Sequence, residues 1–480
     1  MNQSPPYLMT TPEILKSTNA RYKLLRHIVR GVLGLYYRNI ESYGTNFLPK
    51  RGRTLIIANH QAGLIDGLLI LSQNRQVIRE LIKHTLWENP LIGFFATGLG
   101  MIPVSRKQDL KPEDLNDPKT LSPGERHRQS FQRVEDALLA NENVLVFPEG
   151  ISHDRSYTLK LRSGAARMIL QTEAKFDFRV GIQWLPVTID LEVKDHPGGR
   201  VVMHYHPPRK LDKYRDLYVH DTEAAVNALR SEMEFYLKDI TLNFSSWEDR
   251  LFIERLMEIW IARTPTELLL DRHNLLLKWK RILENSFVLM EERGDWELLR
   301  KKVDHIHQTA RIAQISIREI FEERSPDSYK KLLWQIIPTL FFWIPVMIFG
   351  YIFWWIPVKL VRIVTAKATK GHRDIVATYH VVGAFIVFPI WIALFVLVGP
   401  FFIPAQFLLP ALIGFGFAGY AILNRARKVR IGFRELFNLY RFGSLSKMIY
   451  QLRGETQQVW SLGARLWNRA LARQVAIEDE

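Results

Sequence analysis

Near the amino end of the chain, the segment TLIIANHQAGLID places a histidine, His60, six residues before an aspartate, Asp66. The apolar run ahead of it reads as a strand, and a histidine at a strand's carboxyl end faces the crevice where α/β sheets place their ligands. A carboxylate folded back by the loop around Gly63 can accept the Nδ1 hydrogen of that imidazole, leaving Nε2 as a base. Such a pair is common and decides nothing alone. A second segment, NVLVFPEGISHDRSYTLKLRSGAAR, leaves another apolar strand with Glu149, a Gly150 that permits close backbone approach, Ser152, and then Arg162 before a helix opening at Ser163 and Gly164. An arginine at the mouth of a helix amino terminus suits a phosphate. A third, GMIPVSRKQD, sets Arg106 and Lys107 directly after a short strand. Two cationic strand ends beside one histidine would hold a phosphorylated alcohol against a base.

The composition narrows the chemistry. With no cysteine there is no disulfide framework, no thiolate metal site and no cysteine acyl-enzyme, so thioester chemistry must use an oxygen or nitrogen base. His204 with His206, and His305 with His307, lack acidic or cysteine partners at ligand spacing, so no metal site is expected. Neither G-x-S-x-G nor a P-loop signature occurs, against a serine hydrolase of the common type and a nucleotide-binding P-loop. The formal charge of +16 suits a polyanionic partner, nucleic acid or an anionic bilayer. Uncharged runs decide for the bilayer: residues 332–358 carry no charge, nor do 381–423, and about 20 residues cross a hydrocarbon core. No nucleic-acid partner is expected.

These side chains must be positioned by elements that the pattern also suggests. Between residues 54 and 210, β-branched apolar runs (TLIIA, GMIPV, NVLVF, VGIQWLPVTIDL) alternate with helical stretches (GLLILSQNRQVIRELIK, ERHRQSFQRVEDALLA, SGAARMILQTEA), which implies an α/β domain with a mainly parallel sheet. Residues 21–40 read as a basic amphipathic helix, either on the membrane surface or covering the next domain. The organisation expected is a tail and amphipathic helix at 1–43, the α/β domain at 44–221, a charged helical region at 222–331, membrane-embedded helices at 332–423, and a basic juxtamembrane tail at 424–480. That tail has 11 Lys+Arg against 5 Asp+Glu and is read as attracted by anionic headgroups. Pro338, Pro345, Gly350 and Pro357 favour a re-entrant or interfacial hairpin over a single crossing at 332–358. The opening MNQSPPYLMTTPEILK has no apolar core and does not look like a cleaved signal.

At these residues the sequence resembles the glycerolipid acyltransferases, which move a fatty acyl chain onto glycerol phosphate or lysophosphatidate. Asn59, His60 and Asp66 match the first family motif. Ile102, Pro103, Val104 and Arg106 match the second, Phe147 through Gly150 with Ser152 the third, and Pro186 with Val187 the fourth. The usual spacing leaves four residues between His and Asp, whereas five stand here. That departure, with HDR after the third motif and GHRDIVATYH at 371–380, is similar to the fungal-type glycerol-3-phosphate acyltransferases and their bacterial relatives.

The resemblance implies an α/β acyltransferase fold in which His60 takes a proton from the acceptor hydroxyl as it attacks an acyl thioester, with Asp66 orienting the imidazolium. It implies that Arg106, Glu149, Gly150, Ser152 and Arg162 bind the acceptor, and that the donor is acyl-CoA or acyl carrier protein with no cofactor. Glycerol 3-phosphate is the first acceptor reading; lysophosphatidate or another lysophospholipid is the alternative, and a non-catalytic membrane scaffold is the rival of another class. The expected location is a bacterial inner membrane or the endoplasmic reticulum, with the catalytic domain cytoplasmic. Every chemical group named lies before residue 190, so the C-terminal third reads as an anchor whose removal leaves the His60 and Asp66 geometry intact.

Overall fold

The computed structural model describes residues 20–50, 52–104, 123–263, 269–287, 290–321, 330, 334 and 337–478. Helix α1 (Ala20–Tyr36) buries Tyr22, Leu25, Val29 and Leu33, a three- and four-residue rhythm that makes one apolar stripe. These side chains join the core beneath the sheet, so the basic helix at 21–40 serves as a cover helix, while Leu24, Ile28 and Leu35 stay exposed.

The chain then lays down β1 (Asn39–Tyr43), β2 (Thr54–Ala58), α2 (Leu64–Gln73), β3 (Ile78–Lys83), α3 (Pro90–Gly98), β4 (Ile102–Val104), α4 (Pro123–Leu139), β5 (Asn143–Val146), α5 (Gly164–Lys175), β6 (Gln183–Leu191), β7 (Arg200–Tyr205) and β8 (Arg209–Lys210), followed by α6 (Arg215–His220) and α7 (Thr222–Ile240). The strand order is β1-β7-β6-β2-β5-β3-β4, with β8 on β6, and every pairing is parallel except β6 with β7 and with β8. Strand β2 runs between β6 and β5, Ile57 opposite both Pro186 and Val146. All five of its residues are buried, which is why it reads as a continuous apolar run with no alternation. The expected α/β domain with a mainly parallel sheet is what the chain forms.

One stretch departs from the expectation. QVIRELIK, read as the end of a helix, contains β3, paired with both β4 and β5. Arg79 and Glu80 gave it a helical look because charged pairs are rare inside buried strands. Arg79 is buried against Glu142, with Nε to Oε2 at 2.7 Å, and Glu80 is fully enclosed.

The described chain forms two compact units. The first comprises the described residues up to Asp154, Thr158–Thr241 and Pro357–Phe395; the second comprises Arg155–Tyr157, Leu242–Ile356 and the described residues from Val396 onward. Within the second, α8 (Trp247–Arg263), α9 (Leu269–Phe287), α10 (Met290–Ala313) and α11 (Ile317–Phe321) enclose a core built around Trp279, Leu299, Val303 and Ile306. Helix α12 (Ile344–Thr369) is continuous through Pro357, so the hairpin expected over 332–358 does not form. A π-helical turn, Thr339–Trp343, runs directly into α12 ahead of Pro345, and Pro357 removes a single interior bond.

After it come α13 (Val376–Val398), α14 (Leu408–Tyr440) and α15 (Phe442–Glu478). Three helical segments, Phe341–Thr369, Arg373–Phe401 and Ala405–Leu423, are long and apolar enough to cross a membrane. From the tail at 424–480, Leu445, Ile449, Leu452, Val459, Leu462 and Leu466 on α15 are buried in the helical core of the second unit, while Phe433 and Phe437 on α14 stay exposed.

Residues 357–395 group with the unit of the sheet. Ala377 and Val381 of α13 are buried in the same core as α1 and β2.

Candidate active site

Asn59 closes strand β2 by pairing its side chain with the backbone of Ile189, at 2.9 Å as donor and 2.8 Å as acceptor. The next residue, His60, therefore leaves the middle of the sheet at a fixed angle. Its ring stacks on Phe147, centroids 4.1 Å apart and planes 14° from parallel. Its Nδ1 meets Asp66 Oδ2 at 3.0 Å. The same oxygen accepts the backbone N–H groups of Gln61 and Ala62, each at 2.7 Å. Asp66 is wholly buried and His60 has 17% of its side chain exposed. A buried carboxylate is costly, but hydrogen bonds to a charged group contribute about 1.5–3 kcal/mol each. Asp66 also stands in the first turn of α2, where the helix dipole favours negative charge. With Nδ1 committed to Asp66, Nε2 is the ring atom left to take a proton.

Gly63 makes this loop possible. It has φ +58°, and a Cβ there would meet Thr378 Oγ1 at 3.2 Å and the Asp374 carbonyl oxygen at 3.4 Å.

The second loop is tied to the first by Glu149. Its Oε1 accepts the His60 backbone N–H at 3.0 Å, while Oε2 accepts from His153 Nε2 at 2.5 Å and the Leu159 N–H at 2.8 Å. In this structure Glu149 fixes the loop. Gly150 has φ +76°, and a Cβ on it would lie 2.6 Å from Arg162 Nε, so the missing side chain lets the arginine lie over the loop. The Arg162 backbone N–H reaches Pro148 O at 2.9 Å, which sets its exposed side chain beside the amino terminus of α5. The Ser152 hydroxyl donates to Asp374 Oδ2 at 2.6 Å. The structure thus gathers His60, Asp66, Glu149, Gly150, Ser152 and Arg162 at the carboxyl ends of adjacent strands. Arg106 lies outside the described residues.

The stretch from 39 to 190 matches the family described as Acyltransferase. Over these residues the chain is similar to an acyltransferase domain. Two curated relatives are glycerol-3-phosphate O-acyltransferases of Saccharomyces cerevisiae. Number 1 is 21% identical over 324 residues, covering 52% of this chain and 43% of the relative. Number 2 is 28% identical over 153 residues, covering 31% and 20%. The match therefore spans less than half the length of either. Among solved structures, the 1-acyl-sn-glycerophosphate (LPA) acyltransferase PlsC from Thermotoga maritima is 18% identical, over 44% of this chain and 79% of that one, with a TM-score of 0.30.

Two features near the site go beyond the four motifs. The first is the segment at 373–380, from far downstream. Besides the Asp374 contact, Thr378 Oγ1 reaches Ala62 O at 3.4 Å, and Arg373 pairs with Asp195 at 2.8 Å and approaches Asp154 at 3.8 Å. Burial alone would push the Asp195 carboxyl up, but the Arg373 and His196 bonds outweigh it and hold it below its usual range. The signal in the sequence was the polar GHRD between two uncharged runs, which carried no hint of its partner.

The second is Glu80. It packs against Gly67 of α2, so closely that a Cβ there would lie 2.0 Å from its carboxyl. Burial, and then the Asp66 charge, hold the Glu80 carboxyl well above the ordinary range. The native chain thus keeps this proton at pH values where the unfolded chain has released it. Stability from Glu80 is full below its unfolded pKa and is lost as pH rises toward the raised native value. Glu80→Gln is expected to raise the melting temperature over wild type at pH 8 by clearly more than at pH 5; an equal shift at both would mean Glu80 does not hold a proton.

Proposed function

We propose that the chain is a membrane-embedded O-acyltransferase that transfers a fatty acyl group from an acyl thioester, on CoA or acyl carrier protein, to a hydroxyl of glycerol 3-phosphate. The observation that carries this reading is the His60–Asp66 pair, 3.0 Å apart and tied through Glu149 to the loop that positions Arg162. His60 Nε2 takes the proton of the acceptor hydroxyl as its oxygen attacks the thioester carbonyl, and Asp66 stabilises the imidazolium that forms. Collapse of the tetrahedral intermediate expels the thiolate, which the imidazolium proton neutralises. Arg162 and the unpaired N–H groups at the start of α5 attract the acceptor phosphate. Arg106 is assigned the same task on the strength of its motif.

An apolar cleft of about 40 Å³ opens beside α2, lined by Val29, Leu64, Leu68, Phe95, Met101 and Phe385. That is room for little more than one water-sized group, so an acyl chain can enter only if lining side chains move. The names of the yeast relatives favour glycerol 3-phosphate over lysophosphatidate as acceptor. On this reading the site works at a bilayer surface, from which a lipid product can leave, with the catalytic domain on the cytoplasmic face; the helices long and apolar enough to cross a membrane support it.

The test is the purified protein with labelled acyl-CoA and each acceptor in turn. Labelled lysophosphatidate from glycerol 3-phosphate is the expected product, and no transfer to either acceptor would overturn the reading. Arg162→Ala is expected to raise the KM for the phosphorylated acceptor by about tenfold or more and leave that for the donor unchanged, the loss of one charge-assisted bond. A rise in the donor KM alone would assign Arg162 to the thioester instead.

A further inference from the structure

Ser152 has one hydroxyl hydrogen, and it is spent. The donation to Asp374 Oδ2 at 2.6 Å uses the only proton that Ser152 can offer, because an ionised carboxylate can only accept. What Ser152 Oγ has left is lone pairs. It can receive a hydrogen bond from a hydroxyl, and it cannot donate one to a phosphate oxygen. The His153 N–H reaches the His60 carbonyl oxygen at 3.3 Å, so Ser152 stands one residue from a backbone contact with the histidine loop. Asp374 is held from several directions. It is only 8% exposed, it precedes the first turn of α13, and the neighbouring Arg373 is clamped by Asp195. An aspartate at this place also suits the helix amino terminus. That need would not bring a serine of the catalytic loop onto it.

We infer that Asp374 is a positioning residue for acceptor choice: it locks Ser152 as a hydrogen-bond acceptor for a second, non-reacting hydroxyl of the acceptor. The inference rests on the acyl-transfer reading and deepens it. Glycerol 3-phosphate carries two hydroxyls, one to react at His60 and one to donate to Ser152. Lysophosphatidate has an ester in place of one of them, with no hydrogen to give, so Ser152 would be left facing it unpaired. Leaving such a group unsatisfied is what makes a polar site selective.

The experiment measures kcat and KM for glycerol 3-phosphate, lysophosphatidate and acyl-CoA with the full-length wild type, Ser152→Ala, Asp374→Ala and the double variant. Each single variant is expected to lower kcat/KM for glycerol 3-phosphate by about tenfold through the acceptor KM, the worth of one hydrogen bond in a desolvated site, with the acyl-CoA KM unchanged. The ratio of kcat/KM values, glycerol 3-phosphate over lysophosphatidate, should fall by a similar factor. The double variant should be no worse than the poorer single one, since both act on one hydroxyl. A fall for both acceptors alike, additive losses, or wild-type behaviour of Ser152→Ala would overturn the inference. Ser152→Ala removes one oxygen from a partly exposed loop, so it reports even if Asp374→Ala fails to fold. A wild type that acylates neither acceptor would instead sink the acyl-transfer reading, which keeps the two failures apart.

Discussion

Replacing His60 by alanine is expected to lower the rate of acyl transfer by about a thousandfold or more, while the folded state survives. A positioned general base contributes about 10²–10⁴ in rate; the chain has no cysteine, and among the described residues of the two loops the other histidine, His153, is engaged with Glu149 at 2.5 Å. The fold should tolerate the change because the imidazole is partly exposed and its loss opens no closed cavity. Asp66 would still be compensated, since the Gln61 and Ala62 N–H groups remain on Oδ2. Asp66→Asn should also lose most of the rate: its amide oxygen can accept the same three donors, but the charge that stabilises the imidazolium is gone. Turnover assays on both variants, paired with thermal melts, check this. A His60→Ala protein with near-wild-type turnover would remove the histidine from the chemistry.

Cutting the chain after residue 330 is expected to abolish all but about a tenth of the activity, even when both substrates are soluble and detergent replaces the bilayer. As a sequence, the C-terminal third reads as an anchor that could be removed without touching the site. The structure assigns it more. Truncation would take away Asp374, which holds Ser152, and Thr378, which reaches Ala62 O inside the His60–Asp66 loop. It would also expose the core that Ala377 and Val381 seal, and burying a valine side chain contributes about 1.5–3 kcal/mol. The comparison is specific activity of the truncated and full-length proteins in the same detergent, with limited proteolysis around residue 63. Equal activity would return the segment to the role of an anchor.

The difference between what could and could not be read in the sequence has a physical origin. His60, Asp66 and Glu149 were legible because each follows an apolar strand by a few residues, and parallel strands place such positions along one edge of the sheet. Local rhythm likewise marked α1 as amphipathic. Rhythm does not say what covers a stripe, and protein covers Leu25 and Val29. Strand β3 was hidden by Arg79 and Glu80, whose charges are neutralised by a partner and by a retained proton, neither visible nearby in the chain. The contacts of Asp374 and Thr378 were out of reach altogether. They join residues across the uncharged run at 332–358, and composition alone makes that run look like a lipid-facing helix with no further business.

The separation of Asp374 from Ser152 also sets an order of events during synthesis. The two residues are 222 positions apart. At about 5–20 residues per second, a ribosome needs roughly 11 to 44 s to pass from one to the other. For most of that interval, once β6 has been made, β2, β5 and β6 can pair around the His60–Asp66 loop, while Ser152 lacks Asp374 and the core beneath α2 lacks Ala377 and Val381. The nascent domain would thus hold its base before its selectivity, and the last contacts would close as the helix beginning at Val376 emerges. Pulse-labelled ribosome-bound chains stalled before and after residue 381 should therefore differ in protease resistance at the 60s loop.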